Sequence, residues 1–321
     1  MYTLAVGIGA GLVSALLFGV VISGSPLAMM LSFVAPLPIF IASLGWHQRA
    51  GLVAAAAGGI AIGAALNWVA GIAFILGWGL PAWWLGYLAL LGRPGRDGTM
   101  EWYPLGNLLL WIALAAAAIT LAGILALGGG SYEAFIENVQ RTIDLIIRQP
   151  GSPAPAPGGP QPSTEALTAF IGAMPFLFAW NFPMILALNL WLAAKAVQIS
   201  GRLPRPWPFI PNTRMPRATL WLLIGAAGAS MAPGIVGGAG LALSGALLGA
   251  CAFQGLAFIH HRTLGQSSRT AILAATYVLV FATQGLFLFF VGILGLADLA
   301  LPLRKPLPAG PTGPENPSPD H

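Results

Sequence analysis

The side chains able to do chemistry within the apolar stretches of this chain are neutral amides. Asn67, Asn181, Asn189, Gln254 and Gln284 fall in long apolar runs, with Trp68, Trp180, Trp191 and Tyr277 near them in sequence. Amides beside aromatic rings can hold an uncharged or aromatic small molecule by hydrogen bonding and stacking. They can equally bond helix to helix, at about 0.6 kcal/mol each in a membrane. Trp180 and Asn181 stand out because Pro175 and Pro183 flank them. Each proline removes a backbone donor and frees a carbonyl, and broken helices line many transport sites. The expected ligand-binding set is Trp180, Asn181, Asn67, Trp68, Asn189, Gln254 and Gln284.

Charged chemistry is placed elsewhere. The nine acidic residues, Asp97, Glu101, Glu133, Glu137, Asp144, Glu165, Asp298, Glu315 and Asp320, fall in loops, surface segments or the ends of apolar runs. With no carboxylate expected at mid-membrane depth, the chain lacks the relay of a proton-coupled pump and the facing pair of an aspartyl protease. His260 and His261 are adjacent, so on a helix they point about 100° apart and cannot chelate a metal as an i, i+4 pair would. They read as an interfacial polar cap beside Arg262. Lys195, near a run end, is expected to snorkel to the surface. There is no GxxxxGK[ST] phosphate loop and no nucleophile elbow. The chain is therefore not itself an ATPase, and no catalytic residue, metal or cofactor is expected, although triad partners distant in sequence stay open. Cys251 is the single cysteine, which excludes an internal disulfide.

The elements that must position these amides are membrane helices. Hydrophobic residues make up 57% of the chain and charged residues 7%, far from the roughly 25% charge of soluble domains. The fold class is all-α, a polytopic transmembrane bundle. Apolar runs at 3–23, 27–45, 50–66, 67–91, 105–127, 167–199, 217–234, 239–260 and 270–297 predict eight to nine crossings. The stretch from Ala50 to Leu91 would be about 63 Å long as one helix, twice the roughly 30 Å hydrocarbon core, so it must cross twice and turn near Asn67. The first run has no basic region before it and reads as a retained helix rather than a signal peptide. A cytoplasmic N-terminus puts Arg49, Arg93, Arg96, Lys195, Arg202, Arg205, Arg214, Arg217, Arg262 and Arg269 inside. It leaves Arg141, Arg148, Arg304 and Lys305 outside, a bias that fits the positive-inside rule. The net charge of +5 is thus a topology signal and not a nucleic-acid patch.

Small residues recur at four-residue spacing in two runs, as Gly7, Gly11, Ala15 and Gly19, and as Gly51, Ala55, Gly59 and Gly63. Such stripes let helix backbones approach closely, either within the bundle or against a partner subunit. The chain divides into N-terminal membrane helices (1–127), an extracytoplasmic segment (128–166), C-terminal membrane helices (167–297) and a Pro-rich tail (298–321). In the second segment Ser131 is a plausible N-cap. Tyr132, Phe135, Ile136, Val139, Ile143 and Ile146 oppose Glu133, Glu137, Arg141, Asp144 and Arg148 at helical spacing, so an amphipathic helix lies on the membrane or covers an opening. A Pro/Gly-rich linker follows it. The basic loop 200–216, with Trp207 and Phe209, reads as a positive-inside loop or as a docking loop.

Several stretches together resemble one family: FVAPLPIFIASLGW (33–46), LPAWWLGYLALLGR (80–93), NLWLAAKAVQISGRLPRPWP (189–208), GLAFIHHRTLG (255–265) and GILGLADLALPLRK (292–305). They are similar to the YybS-like family of bacterial polytopic membrane proteins, a domain of unknown function. That family is distantly similar to the substrate-capture subunits of energy-coupling-factor transporters, whose first helix uses small residues at four-residue spacing. The resemblance implies a bacterial inner-membrane protein that binds a small molecule and relies on a membrane coupling subunit and ATPases. An envelope scaffold is the alternative expectation, and a membrane enzyme acting on lipid-linked substrates is a third.

Overall fold

The computed structural model describes residues 2–96, 98–147, 164–301, 303 and 304. The expected linker, the tail beyond 304, Asp97, Arg148 and Lys305 lie outside the described residues. The elements are helices α1 (Tyr2–Gly19), α2 (Pro26–Ser32), α3 (Pro36–Trp46), α4 (Gln48–Ala65), α5 (Trp68–Phe74), α6 (Leu80–Ala89), α7 (Leu105–Leu127), α8 (Tyr132–Ile147), α9 (Thr164–Ile199), α10 (Ala218–Ala229), α11 (Gly234–Arg262), α12 (Arg269–Ala282) and α13 (Phe287–Ala300). A π-helical turn, Ile75–Gly79, joins α5 to α6. A small hairpin, β1 (Gly92–Pro94) against β2 (Met100–Trp102), joins α6 to α7. The fold is the expected all-α bundle.

Among the described residues seven helices are long and apolar enough to cross a membrane: Tyr2–Ser23, Pro26–Trp46, Gln48–Ala65, Trp68–Ala89, Leu105–Leu127, Glu165–Ile199 and Gly234–Arg262. Two of the runs expected to cross come out shorter. The run at 217–234 yields the twelve-residue α10, which ends at Ala229; Pro233 then caps α11, whose first residue, Gly234, is left-handed at φ +66°. The run at 270–297 is two helices, because Gln284 (φ +51°) and Gly285 (φ +88°) end α12 in the left-handed region. The Gly285 N–H donates to Val280 O and the Gln284 N–H to Phe281 O, the Schellman pattern that satisfies a helix's last carbonyls. Thr283 Oγ1 then accepts from the Phe287 N–H, 3.0 Å, and opens α13.

Small residues bring α1 against α4. A Cβ on Gly7 would lie 2.8 Å from Ala50 O, and one on Gly11 would collide with Ala54 O and lie 2.9 Å from Gly58 N. The second stripe serves other neighbours: Gly51 lies on Ser43 of α3, Gly59 on Ile75 and Gly63 beside Gly71. In the C-terminal half, Gly245 meets the backbone of Phe176 and Gly249 that of Trp180. Gly292 beside Leu248, Gly295 beside Cys251 and Asp298 beside Gln254 advance together along both chains, so α13 runs parallel to α11.

That direction returns the C-terminal segment to the end of the bundle where the basic loop lies. Arg304 was expected on the opposite side with Arg141; instead it donates to Pro211 O and Thr213 O, both 2.8 Å. The loop itself is strapped across this end. Arg202 stacks on Trp46, Lys195 on Trp207, Arg205 donates to Ala89 O at 2.9 Å, and Gly106 abuts Arg214 O. Half-burial of the Arg205 guanidinium lowers its pKa from the usual arginine value through desolvation.

The opposite end carries α8. Ser131 Oγ accepts from the Ala134 N–H at 3.4 Å, the expected N-cap. Phe135 is buried, Tyr132, Ile136, Val139 and Ile143 are partly buried, and Glu133, Glu137, Arg141 and Asp144 are exposed. Tyr132 lies on Gly238 of α11, and its hydroxyl donates to Gly172 O of α9. The first turns of α8 therefore cap the ends of α7, α9 and α11. The Tyr132 phenol is pushed up by burial and then by Glu133, while the Ser131 hydroxyl holds the Glu133 carboxyl below its ordinary value.

Candidate functional site

Pro36 and Pro38 lack the N–H groups that would bond Ser32 O and Val34 O in an α-helix, and their rings crowd the preceding turn. The chain answers by tightening between α2 and α3. Val34 N–H donates to Leu31 O, Ala35 N–H to Ser32 O and Leu37 N–H to Val34 O, all three-residue steps. The α-helical bond from Leu37 to Phe33 O is thereby lost. Phe33 O is taken up by Asn189 Nδ2 of α9 at 2.9 Å, and Ala35 O by the Ser14 hydroxyl of α1. Two helices thus meet at one discontinuity in a third segment's hydrogen bonding. It lies 11 residues before the end of α3 at Trp46, and Asn189 lies 10 residues before the end of α9 at Ile199. At about 1.5 Å per residue both are roughly 15 Å from the basic end, which is mid-membrane depth.

Asn189 is 3% exposed. Its Nδ2 uses both hydrogens, one on Phe33 O and one on Ile185 O at 2.8 Å, and its Oδ1 is buried with no partner. The amide orientation is fixed, because turning it over would aim Oδ1 at two carbonyl oxygens. Ser14 is fully buried.

A second discontinuity sits at similar depth. Pro81 lacks an N–H, and the π turn Ile75–Gly79 takes up the mismatch just before it. That turn carries Trp78, whose ring lies 5.7 Å from Phe182, two turns of α9 away from Asn189. The site is therefore the junction of α1, the α2–α3 break, the π turn and α9, with Ser14, Phe33, Ala35, Trp78, Phe182 and Asn189 as its residues.

The expected set does not converge on it. Helix α9 is continuous through Pro175 and Pro183, contrary to the expected break. Trp180 packs on Phe289 at 5.7 Å and beside Gly292, whereas Asn181 is exposed and bonds Leu177 O of its own helix. Asn67 caps α5 by accepting from the Ala70 N–H at 2.9 Å, and Trp68 beside it is exposed. Gln284 stands in the α12–α13 turn, beside an open cleft lined also by Tyr277, Val280 and Phe281. Only Asn189 of the set lies at the junction.

A family model described as a predicted membrane protein, DUF2232, matches residues 12–299. The chain belongs to this family. The match runs from within α1 to within α13, so the junction and the strapped loop are parts of a DUF2232 protein. No curated protein matches the chain, and no solved structure does. The family assignment and the apolar helices together make the chain a multi-pass membrane protein in contact with lipid.

Sequence reasoning missed two further features of this DUF2232 chain. Gln254 is not a free amide: its Oε1 accepts from the Met215 N–H and its Nε2 donates to Asp298 Oδ2, both 2.8 Å. Asp298 and Arg304 form an ion pair of 2.7 Å with both side chains about 1% exposed. A carboxylate expected at a run end is thus buried, neutralised by an arginine expected on the other side. The signal for the first break, two prolines in FVAPLPIF, was in the sequence.

Proposed function

We propose that this DUF2232 protein is a small-molecule-binding, transport-associated subunit without its own energy source, and that its ligand binds at the α2–α3 discontinuity. One observation carries the reading: a tightened turn of three-residue hydrogen-bond steps at mid-depth, braced by side chains of two other helices, beside a buried amide oxygen that has no partner. Each unsatisfied buried polar atom costs about 1–3 kcal/mol. Irregular backbone in a membrane occurs where it is buried in protein or lines a site. Trp78 and Phe182 supply ring faces two turns of α9 away. In this reading the basic end faces the cytoplasm of a bacterial cell, by the positive-inside rule.

The energy-coupling-factor likeness fits a subunit that relies on a coupling partner and ATPases. The Gly7 and Gly11 face is covered by α4, so such a partner meets α1 on its other, apolar face. The test is gentle purification from the native membrane with mass spectrometry of proteins and retained small molecules. A metabolite retained by the native protein and lost from Asn189→Leu is the expected result. An empty bundle that copurifies only with envelope-assembly proteins favours the scaffold instead.

A further inference from the structure

The hairpin that joins α6 to α7 stands beside a cluster of aromatic rings. Trp84 of α6 packs on Tyr87 at 5.7 Å and on Trp111 of α7 at 5.5 Å, and Trp111 Nε1 donates to the Tyr103 hydroxyl at 3.0 Å. Counted at about 1.5 Å per residue, Trp84 and Trp111 lie within roughly 9 Å of the ends of α6 and α7. Tryptophan and tyrosine collect at that depth because an apolar ring with one polar atom suits the boundary between lipid tails and headgroups. The hairpin beyond them is therefore at headgroup level. Leu91 and Met100 are exposed there, and Gly92 lies against Met100 and Trp102.

A cleft of about 540 Å³ on this hairpin is lined by Arg93, Pro94, Gly95, Arg96 and Glu101. Arg93 Nε donates to Glu101 Oε2 at 2.8 Å, so the carboxylate is neutralised and the guanidinium is held by one nitrogen. Among the described residues, neither the terminal nitrogens of Arg93 nor the guanidinium of Arg96 has an acceptor. An open guanidinium fork matches the paired oxygens of a phosphate. The surroundings carry the same sign. Arg49, Lys195, Arg202, Arg214, Arg217 and Arg262 are exposed at this end with no ion pair among the described residues, and Asp298 is neutralised by Arg304. Asp97 follows Arg96 in the sequence, outside the described residues, and is one carboxylate against that excess. From this we infer that the hairpin cleft takes the phosphate of an anionic phospholipid in the leaflet facing the basic end. A soluble phosphate would meet the same arginines, but only a lipid also sets its tails against the rings and apolar side chains of α6 and α7. The site is separate from the α2–α3 discontinuity and does not depend on it.

The experiment is a lipid titration of the full-length, delipidated protein in detergent, read by native mass spectrometry, with dioleoylphosphatidylglycerol against dioleoylphosphatidylcholine. The first phosphatidylglycerol is expected to bind at least about tenfold more tightly than the phosphatidylcholine. Arg93→Gln and Arg96→Gln should each weaken it about fivefold, the effect of one basic residue near an anionic surface, and the double variant should lose the preference. Both positions are exposed, so the variants should elute at the native volume. Arg49→Gln removes an exposed cation from the same end outside the cleft and should leave the first affinity within about twofold. Equal affinity of the native protein for the two lipids would overturn the inference. So would a loss in Arg49→Gln as large as in Arg93→Gln, which would assign the lipid to a diffuse field. Inorganic phosphate at equal concentration should not displace the phosphatidylglycerol; full displacement would make the ligand a soluble phosphate and sink the lipid assignment. The bound phospholipid should persist in Asn189→Leu and is told by its mass from a metabolite at the α2–α3 discontinuity; its loss from that variant would place the lipid away from the hairpin.

Discussion

Asn189 donates its amide hydrogen to the carbonyl of Phe33 across 2.9 Å, joining residues 156 positions apart. That bond ties α9 to the one place where the α2–α3 segment has given up its own helical hydrogen bond. Pro36 and Pro38, on either side of Leu37, create the vacancy, and a single asparagine fills it. The consequence is a polar point within the bundle, with an amide oxygen to spare.

Asn189→Leu leaves Phe33 O without a partner while filling similar volume. Loss of a buried hydrogen bond that orphans a carbonyl costs about 1–3 kcal/mol, so Tm should fall by several degrees in thermal unfolding. Asn181→Leu, at an exposed position bonded only within its own helix, should leave Tm within about 1 °C of the native value.

Gly11 and Gly9 separate close packing from composition. A side chain at Gly11 would meet Ala54 O, Ala57 Cβ and Gly58 N, whereas Gly9 has open space. Gly11→Leu should destabilise by at least about 1–3 kcal/mol through overpacking. Gly9→Ala should be neutral or stabilising by up to about 1 kcal/mol from helix propensity. Size-exclusion chromatography with a temperature series reads both.

The buried Asp298–Arg304 pair should be sensitive to loss of one partner. Asp298→Ala strands the guanidinium at a site where it also holds Pro211 O, Thr213 O and Gln254 O, at a cost of about 3–5 kcal/mol. The same contacts fix topology. Leu303→Cys should be labelled by an impermeant maleimide from the same side of the membrane as Ser200→Cys, with Cys251 buried and silent. Labelling from opposite sides would contradict the parallel course of α11 and α13.

Glu133 provides a pH test at the α8 cap. Its carboxyl is held below the ordinary value chiefly by the Ser131 hydroxyl, 2.8 Å away. A lowered folded pKa contributes stability that is present above the unfolded pKa and lost as pH falls through the folded one. An NMR titration should place Glu133 below a model carboxylate, and Ser131→Ala should bring it back. An unchanged titration in that variant would remove the hydroxyl as the cause.

Element type was legible in the sequence because membrane helices need long apolar runs, and nothing else in the chain produces them. Interruptions within a run were less so. A proline removes one bond, and in α9 each of Pro175 and Pro183 is absorbed with the helix intact. At Pro36 and Pro38, two such losses within three residues break it. Gln284–Gly285 stops α12 through backbone conformation alone, and the run's hydropathy carries no trace of it. The Gln254–Asp298–Arg304 network was hidden for another reason: its members come from α11, α13 and the segment after it, and only the parallel return of α13 brings them together. Of the amides expected to bind ligand, Asn189 alone stands at the junction: Asn67 is taken by a local cap, Asn181 by its own helix, Gln284 by a turn, and Gln254 by the Asp298 network.

The most direct measurement is native mass spectrometry of the protein released gently from its own membrane, with Asn189→Leu in parallel. The account predicts that the native protein carries a bound small molecule that the variant, folded and eluting at the same volume, has lost. A bare mass for the native protein, or the same adduct on both, would contradict a ligand site at the α2–α3 discontinuity.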